Sequence, residues 1–505
     1  MSIPSLAIKN VTATWLGLAV HALVGFFLSP FILHRLGDMA FSVWILVFAL
    51  TGYFGLLDFG IRSAVVKYTA KLSALHDSDQ LSRNLSTSLA FYGFIAIVVI
   101  LMTAIGAAYL HLFFKIPPGL IHTARILFLL SGVSVAFAFP LTVFAGILEG
   151  LQKFSSLQLS QIGVSLLRAV VIVIALMCGG GLLTIGIITV ATSLLSYLIF
   201  MWMAMRVLPT RLQWANVDLR TFRTMVGYGL FAFAILAAEK LRFQCDAAVI
   251  GALLSASAIT MFSIGSKLVE YSSYAVRGMS QVFTPMSSHF HAAGDLDRLR
   301  RTFTTGNRVC ALITFPLCVI LVILGKPIIA AWVGVRYLSS YYVLVLLMVP
   351  RSLYLAQSTS TRILMGMGRH RTLATVLVLE GIANLVLSIF LAHPFGILGV
   401  AAGTAVPLIC TSLFFLPQHL CRVLNVPLFS YLRRAYVLPL VLCVPMAGAL
   451  WFVGRQFPAD NFPRLLLQIA FGGSVYALGL GIALLKGGLP QTRTLQAFAQ
   501  LLEPK

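Results

Sequence analysis

Apolar runs of twenty residues and more recur along this chain from Val11 to Leu485, separated by short polar breaks. At a rise of 1.5 Å per residue, each run can cross a hydrocarbon core about 30 Å thick. In that medium every backbone amide must find its partner inside the protein, so runs of this length form helices. Composition points the same way: 59% of the 505 residues are hydrophobic, 10% are charged and the mean hydropathy is +0.97. No polar stretch is long enough for a separate soluble domain, and the longest connection runs only from Val207 to Thr221. The first run, Val11 to Leu33, exceeds the apolar region of a signal peptide and is expected to remain as a span.

The hydropathy breaks place helices at 11–33, 40–66, 86–113, 122–149, 155–178, 182–206, 222–254, 257–286, 300–325, 339–366, 372–392, 396–421, 431–454 and 464–485. Pro117-Pro118, Gly179-Gly180-Gly181, Pro209, Gly294-Asp295 and Pro394 punctuate them. The expectation is an all-α polytopic membrane protein of about 14 transmembrane helices. Basic residues give the orientation, because Lys and Arg in short loops stay on the cytoplasmic side. With the N-terminus inside, inner segments hold 23 of the 36 Lys and Arg residues, among them Lys9, Lys71, Arg211, Arg220, Lys486, Arg493 and Lys505, and outer segments hold seven. This predicts N-in, C-in topology. Contact with an anionic inner leaflet then accounts for the net charge of +22, and no nucleic-acid partner is needed.

Internal similarity sets the architecture. HDSDQLSRNLSTS, from His76, aligns with GDLDRLRRTFTTG, from Gly294, at an offset of 218. ILEGLQK, from Ile147, aligns with ILMGMGR, from Ile363, and Arg206-Val207-Leu208 with Arg422-Val423-Leu424, both at 216. Six spans separate equivalent points, so the halves share one orientation, as two six-helix lobes related by a parallel pseudo-repeat plus two C-terminal helices. The expected division is 1–209, 210–425 and 426–505.

Charge inside the spans is the remaining signal. A charge near the middle of a spanning helix costs roughly 2.5–3.5 kcal/mol on insertion scales, so such residues face a bundle interior or a wet cavity. In AAEKLRFQCD, Glu239, Arg242 and Asp246 share a helical face, with Lys240 on its flank. The following span carries Lys267, Glu270, Tyr274, Arg277 and Gln281 on one face. Depth counted from the turn near Ser255 predicts the pairs Asp246 with Lys267 and Arg242 with Glu270. Asp58 with Arg62, the stripe Gln158, Gln161, Ser165 and Arg168, the stripe Arg351, Tyr354, Ser358 and Thr361, and Glu380 with Asn384 extend the polar surface. Two readings stay open: these groups line a transport cavity, or they are ion pairs that hold helices together.

Six cations lie within the spans against five carboxylates, and protonation of some buried carboxylates would leave a basic cavity suited to phosphate, with Tyr, Gln and Ser suited to sugar hydroxyls. Those carboxylates are also candidates for proton coupling. No GxxxxGK[ST] motif occurs, so ATP would have to be hydrolysed elsewhere. The seven cysteines form no CxxC, His289-x-His291 reads as a solvated loop, and neither metal nor cofactor is expected.

The stretch GYFGLLDFGIRSAVVKYTAKL, Gly52 to Leu72, resembles the leucine-aspartate-x-glycine segment of polysaccharide flippases of the O-antigen type, a family grouped with multidrug extruders and peptidoglycan-precursor flippases. The resemblance covers the whole chain and implies a carrier in the bacterial cytoplasmic (inner) membrane. Such a carrier would move an undecaprenyl-pyrophosphate-linked oligosaccharide from the cytoplasmic to the periplasmic leaflet by alternating access. Lys240, Arg242, Lys267, Arg277 and Arg168, with Tyr274, would then hold the pyrophosphate or glycan, and Glu239, Asp246, Glu270 and Asp58 would couple ions or serve as structural partners. The polyprenyl tail would stay in the bilayer beside the last two helices, and polysaccharide polymerase or assembly proteins would be partners. An organic-cation extruder and a peptidoglycan-precursor flippase remain alternatives; a membrane glycosyltransferase or ligase would need a larger outer loop.

Overall fold

The computed structural model describes residues 3–208, 216–459 and 461–485, and these are helical almost throughout. The expected boundary at 209/210 and the cations Arg211, Lys486, Arg493 and Lys505 lie outside them. In chain order the helices are α1 (Ile3–Gly52), α2 (Ile61–Ala74), α3 (Ser78–Phe113), α4 (Ile121–Gly150), α5 (Phe154–Met177), α6 (Leu182–Val207), α7 (Leu219–Phe243), α8 (Cys245–Leu253), α9 (Ala256–Ser280) and α10 (Phe283–Ala292). There follow α11 (Leu296–Ile323), α12 (Gly325–Trp332), α13 (Ser340–Ala356), α14 (Ser358–Gly366), α15 (His370–Ile409), α16 (Leu416–Leu424), α17 (Leu428–Leu432), α18 (Leu438–Gln456) and α19 (Phe462–Leu485).

Among the described residues nine helical stretches are long and apolar enough to cross a membrane. Two of them, Trp15–Asp58 and Arg371–Leu424, break at a single glycine, Gly37 (φ 76°) and Gly396 (φ 56°), so the second break falls two residues past the expected Pro394. The seventh, eighth and tenth expected spans are absent from the nine because charge or a break interrupts each. The second is broken at 53–60, the seventh at Gln244, the eighth at 281–282 and the tenth at Gln357.

The chain forms two compact units. One comprises 9–260 with 377–385; the other comprises 1–8, 261–376 and 386–505. In the first, α2 ends with Leu75, His76 and Asp77 donating their amides to Lys71, Ser73 and Leu72 carbonyls, and Asp77 caps α3 through the Gln80 amide. In the second, Ala293, Gly294 and Asp295 donate to His289, His291 and Phe290, and Asp295 caps α11 through the Arg298 amide. The pattern repeats residue for residue at the offset of the sequence match, including left-handed backbone at His76 (φ 54°) and Gly294 (φ 69°). The second match is likewise a helix end: 151–153 close onto 147–149 as 367–369 close onto 363–365.

Packing repeats too. A Cβ on Gly150 would meet the Val66 carbonyl and Thr69 side chain; one on Gly366 would meet the Thr284 carbonyl and Ser287 side chain, 218 residues along. These glycines let helix backbones approach closely where no larger residue fits.

Outside the spans, Asp218 caps α7, accepting from the Thr221 amide and hydroxyl and from the Arg220 amide. Those donors, the Thr221 amide first, hold its carboxyl below the usual carboxylate range. A depressed folded pKa means that the cap stabilises at pH above the unfolded value of about 3.9 and is lost as pH falls through the folded value. Thermal melting of Asp218→Asn should therefore lie below wild type at neutral pH and converge with it in acid.

Candidate functional site

In the 9–260 unit Asp58, Lys240, Arg242 and Asp246 sit at two helix breaks. The first follows α1: Tyr53–Asp58 tightens into a 3₁₀ turn, then Phe59 (φ 48°) and Gly60 (φ 74°) take left-handed backbone before α2 begins. Asp58 accepts the Gly60 and Arg62 amides, capping α2, and accepts the hydroxyl of the buried Tyr92. The side-chain pair expected between Asp58 and Arg62 does not form, because the left-handed residues between them destroy the i,i+4 register. Arg62 Nη2 instead donates to Glu149 Oε1 on α4 at 2.6 Å.

Gln244 (φ −130°) makes the second break, between α7 and α8. Lys240 and Arg242 occupy the last turn of α7, where cations complement the negative helix end; Asp246 occupies the first turn of α8, where an acid complements the positive end. Part of the charge in AAEKLRFQCD is thus accounted for by a helix that stops and restarts inside the protein. Glu239 is exposed, while Arg242 and Asp246, on either side of the break, are buried. Lys240 Nζ donates to Gln244 Oε1 at 2.6 Å, and both atoms lie 3.6 Å from where a Cβ on Gly52 would stand, so the two breaks adjoin.

Arg242 finds its carboxylate on α15. Its Nε donates to Glu380 Oε1 at 2.5 Å, with side chains 1% and 3% exposed, and Asn384 Nδ2 donates to the Arg242 carbonyl at 2.8 Å. The expected partner Glu270 accepts instead from the Tyr274 hydroxyl at 2.9 Å. For Arg242 the depth count assumed a straight seventh helix, and the break at Gln244 lies between it and the turn near Ser255. Arg168 bonds two hydroxyls of α6, Thr192 at 2.7 Å and Ser193 at 3.0 Å.

In the other unit, Lys267, Glu270, Tyr274 and Arg277 all lie on α9, and the Tyr274–Glu270 bond places those two on one face. Lys267 is half-buried, Glu270 and Arg277 exposed. Behind them the buried Arg351 donates to Ser273 Oγ at 3.2 Å. At the Gln357 break, the Gln357 side-chain Nε2 donates to the Ser412 carbonyl, within a π-helical stretch whose wider turn disturbs the usual ladder. Sequence reasoning missed Glu149 and Tyr92. Glu149 had a signal: within ILEGLQK it stands opposite Met365, a charge against an apolar residue in an otherwise similar segment.

Nine long apolar helical stretches, with broken helices carrying charged ends among them, mark a multi-pass membrane protein. Residues 32–342 match the family described as polysaccharide biosynthesis protein, and the chain belongs to that family. It is 20% identical over 489 residues to the uncharacterized membrane protein EpsK of Bacillus subtilis (strain 168), covering 93% of this chain and 94% of that one. Among solved structures it is similar to the lipid II flippase MurJ in an inward closed conformation, with TM-score 0.74, 17% identity, and 94% and 98% of the two chains covered. It is also similar to an inward-facing multidrug resistance MATE family transporter of the MOP superfamily, with TM-score 0.71, 12% identity, and coverage of 83% and 99%. The fold is the one these transporters share.

Proposed function

We propose that this protein is a flippase that carries an undecaprenyl-pyrophosphate-linked glycan from the cytoplasmic to the periplasmic leaflet of the bacterial cytoplasmic membrane by alternating access. It would act as a carrier, not an enzyme. Membership of a polysaccharide biosynthesis family, in a chain with the fold of a lipid-linked precursor flippase, carries this reading. Fourteen spans, N-in and C-in, with lobes 1–209 and 210–425 and an appended 426–505, complete it; the matching helix ends and glycine contacts at 216–218 support the duplication. Lys240, Lys267, Arg277, Arg168 and Tyr274 are the proposed contacts to pyrophosphate or glycan. Arg242 joins them through a guanidinium already held by Glu380. Glu239, Asp246, Glu270 and Asp58 are the proposed coupling or structural carboxylates, with Asp246 and Lys267 as a pair.

Native mass spectrometry of protein extracted gently from its own membrane tests the substrate. A co-purified polyprenyl-pyrophosphate glycan is expected, and its signal should fall at least tenfold in Lys267→Gln, a loss of one charge-assisted contact. That variant should insert normally yet fail to support glycan export. A bound peptidoglycan precursor would reassign the substrate within the same fold, and organic-cation efflux without any bound glycolipid would replace the flippase reading by the extruder.

A further inference from the structure

A polar cavity lies in the 9–260 unit. About 300 Å³ in volume, it opens between the C-terminal end of α2, the first turns of α3 and the first turns of α7. Its floor is Leu72, Asn84 and Thr221, all buried; Tyr68, Gln80 and Thr224 stand around it, and the exposed Lys71 and Arg220 form its rim. Asp218 also borders the cavity, but both its oxygens are engaged by the α7 amides and the Thr221 hydroxyl. Asn84 is turned to the Gln80 carbonyl and Thr224 to the Arg220 carbonyl. The Lys71 ammonium and the Tyr68 hydroxyl donate no hydrogen bond to the protein among the described residues. What the cavity offers a ligand is therefore a set of donors with two cations, while its one carboxylate is already spent on its own helix.

Such a set fits an oxyanion. Its position fits one in particular, since basic clefts between the ends of spanning helices take up lipid headgroups. We propose that this cleft is a phosphate-binding site, held by Lys71, Arg220 and Tyr68, that takes the phosphodiester headgroup of an anionic membrane lipid. The site is independent of the glycan carrier, because none of these side chains belongs to the proposed substrate contacts.

The test uses the full-length protein in nanodiscs of phosphatidylglycerol or of phosphatidylcholine, released for native mass spectrometry, as wild type and as Lys71→Gln/Arg220→Gln. Both residues are exposed, so the double variant should elute and melt as wild type does; Tyr68→Phe, which removes a single hydroxyl, is the second probe. Retention of phosphatidylglycerol over phosphatidylcholine, falling roughly thirtyfold in the double variant as two lipid-facing cations are lost, supports the proposal with lipid as the source. Binding of inorganic phosphate that is lost in the same variant, with no preference between the lipids, supports the phosphate site and assigns it to a soluble ester. Equal phosphatidylglycerol retention by wild type and double variant, with no phosphate binding, overturns it.

Discussion

Glu380→Ala should be among the most destabilising single changes in this chain, costing about 3–5 kcal/mol, because it removes the carboxylate from a guanidinium only 1% exposed. The Arg242–Glu380 bond is charge-assisted, and the Asn384 amide ties the same turn of α7 to α15. Loss of one partner leaves the other charge to be desolvated alone, which costs more than the pair itself is worth. The expected readout is a large fall in yield and melting temperature for either single variant. Arg242→Met/Glu380→Met should recover most of the stability, since apolar replacement of a whole buried pair is close to neutral. A Glu380→Ala protein that melts with wild type would show that the pair bears no structural load. The double variant also separates the two roles of Arg242: glycan export returning with stability removes it from the substrate contacts, and stable protein without export keeps it there.

Gly60→Ala is expected to be nearly as damaging. Gly60 holds φ 74°, which costs an alanine roughly 1–2 kcal/mol. Its Cβ would stand 2.1 Å from the Gly229 carbonyl oxygen, and the obstacle is backbone of α7, which cannot rotate away. Overpacking adds about 1–3 kcal/mol. The reciprocal contact is less tight but still below van der Waals range, a Cβ on Gly229 meeting the Phe59 carbonyl oxygen at 2.7 Å, so Gly229→Ala should fail in the same way, to a smaller extent and without any left-handed strain of its own. Melting of the two variants measures how much of the effect is conformational and how much is steric. Wild-type stability and export in both would show that α2 and α7 need no such approach.

The apolar spans and the helix ends were legible in the sequence because each rests on a local rule: length against bilayer thickness, and punctuation. The segments that resemble each other at offsets of 216–218 proved to be helix ends, where backbone hydrogen bonds favour certain residue types at fixed positions. The breaks at Asp58 and Gln244 were not legible. Phe59 and Gln244 are ordinary residues in a helix, and their backbone angles are imposed by neighbours distant in sequence. Two pairings inferred from straight helices therefore went astray: Arg62 reached Glu149, Arg242 reached Glu380, and Tyr92, an unremarkable aromatic in an apolar run, became the partner of Asp58.

The cluster around Asp58 has an opposite number. Carried along the chain by 218 residues, Asp58 and Tyr92 become Val276 and Cys310; carried by 216, Phe139, whose ring lies against Tyr92, becomes Leu355. Val276, Cys310 and Leu355 pack together as a fully buried apolar cluster. Arg62 and Glu149 likewise map to Ser280 and Met365. At these offsets one segment thus holds an acid and its partners, and the similar segment holds an apolar cluster. Similar helix ends thus frame an ion-bearing cluster in the 9–260 unit and an uncharged one in the other, so sequence likeness between the two stretches does not carry over to their chemistry.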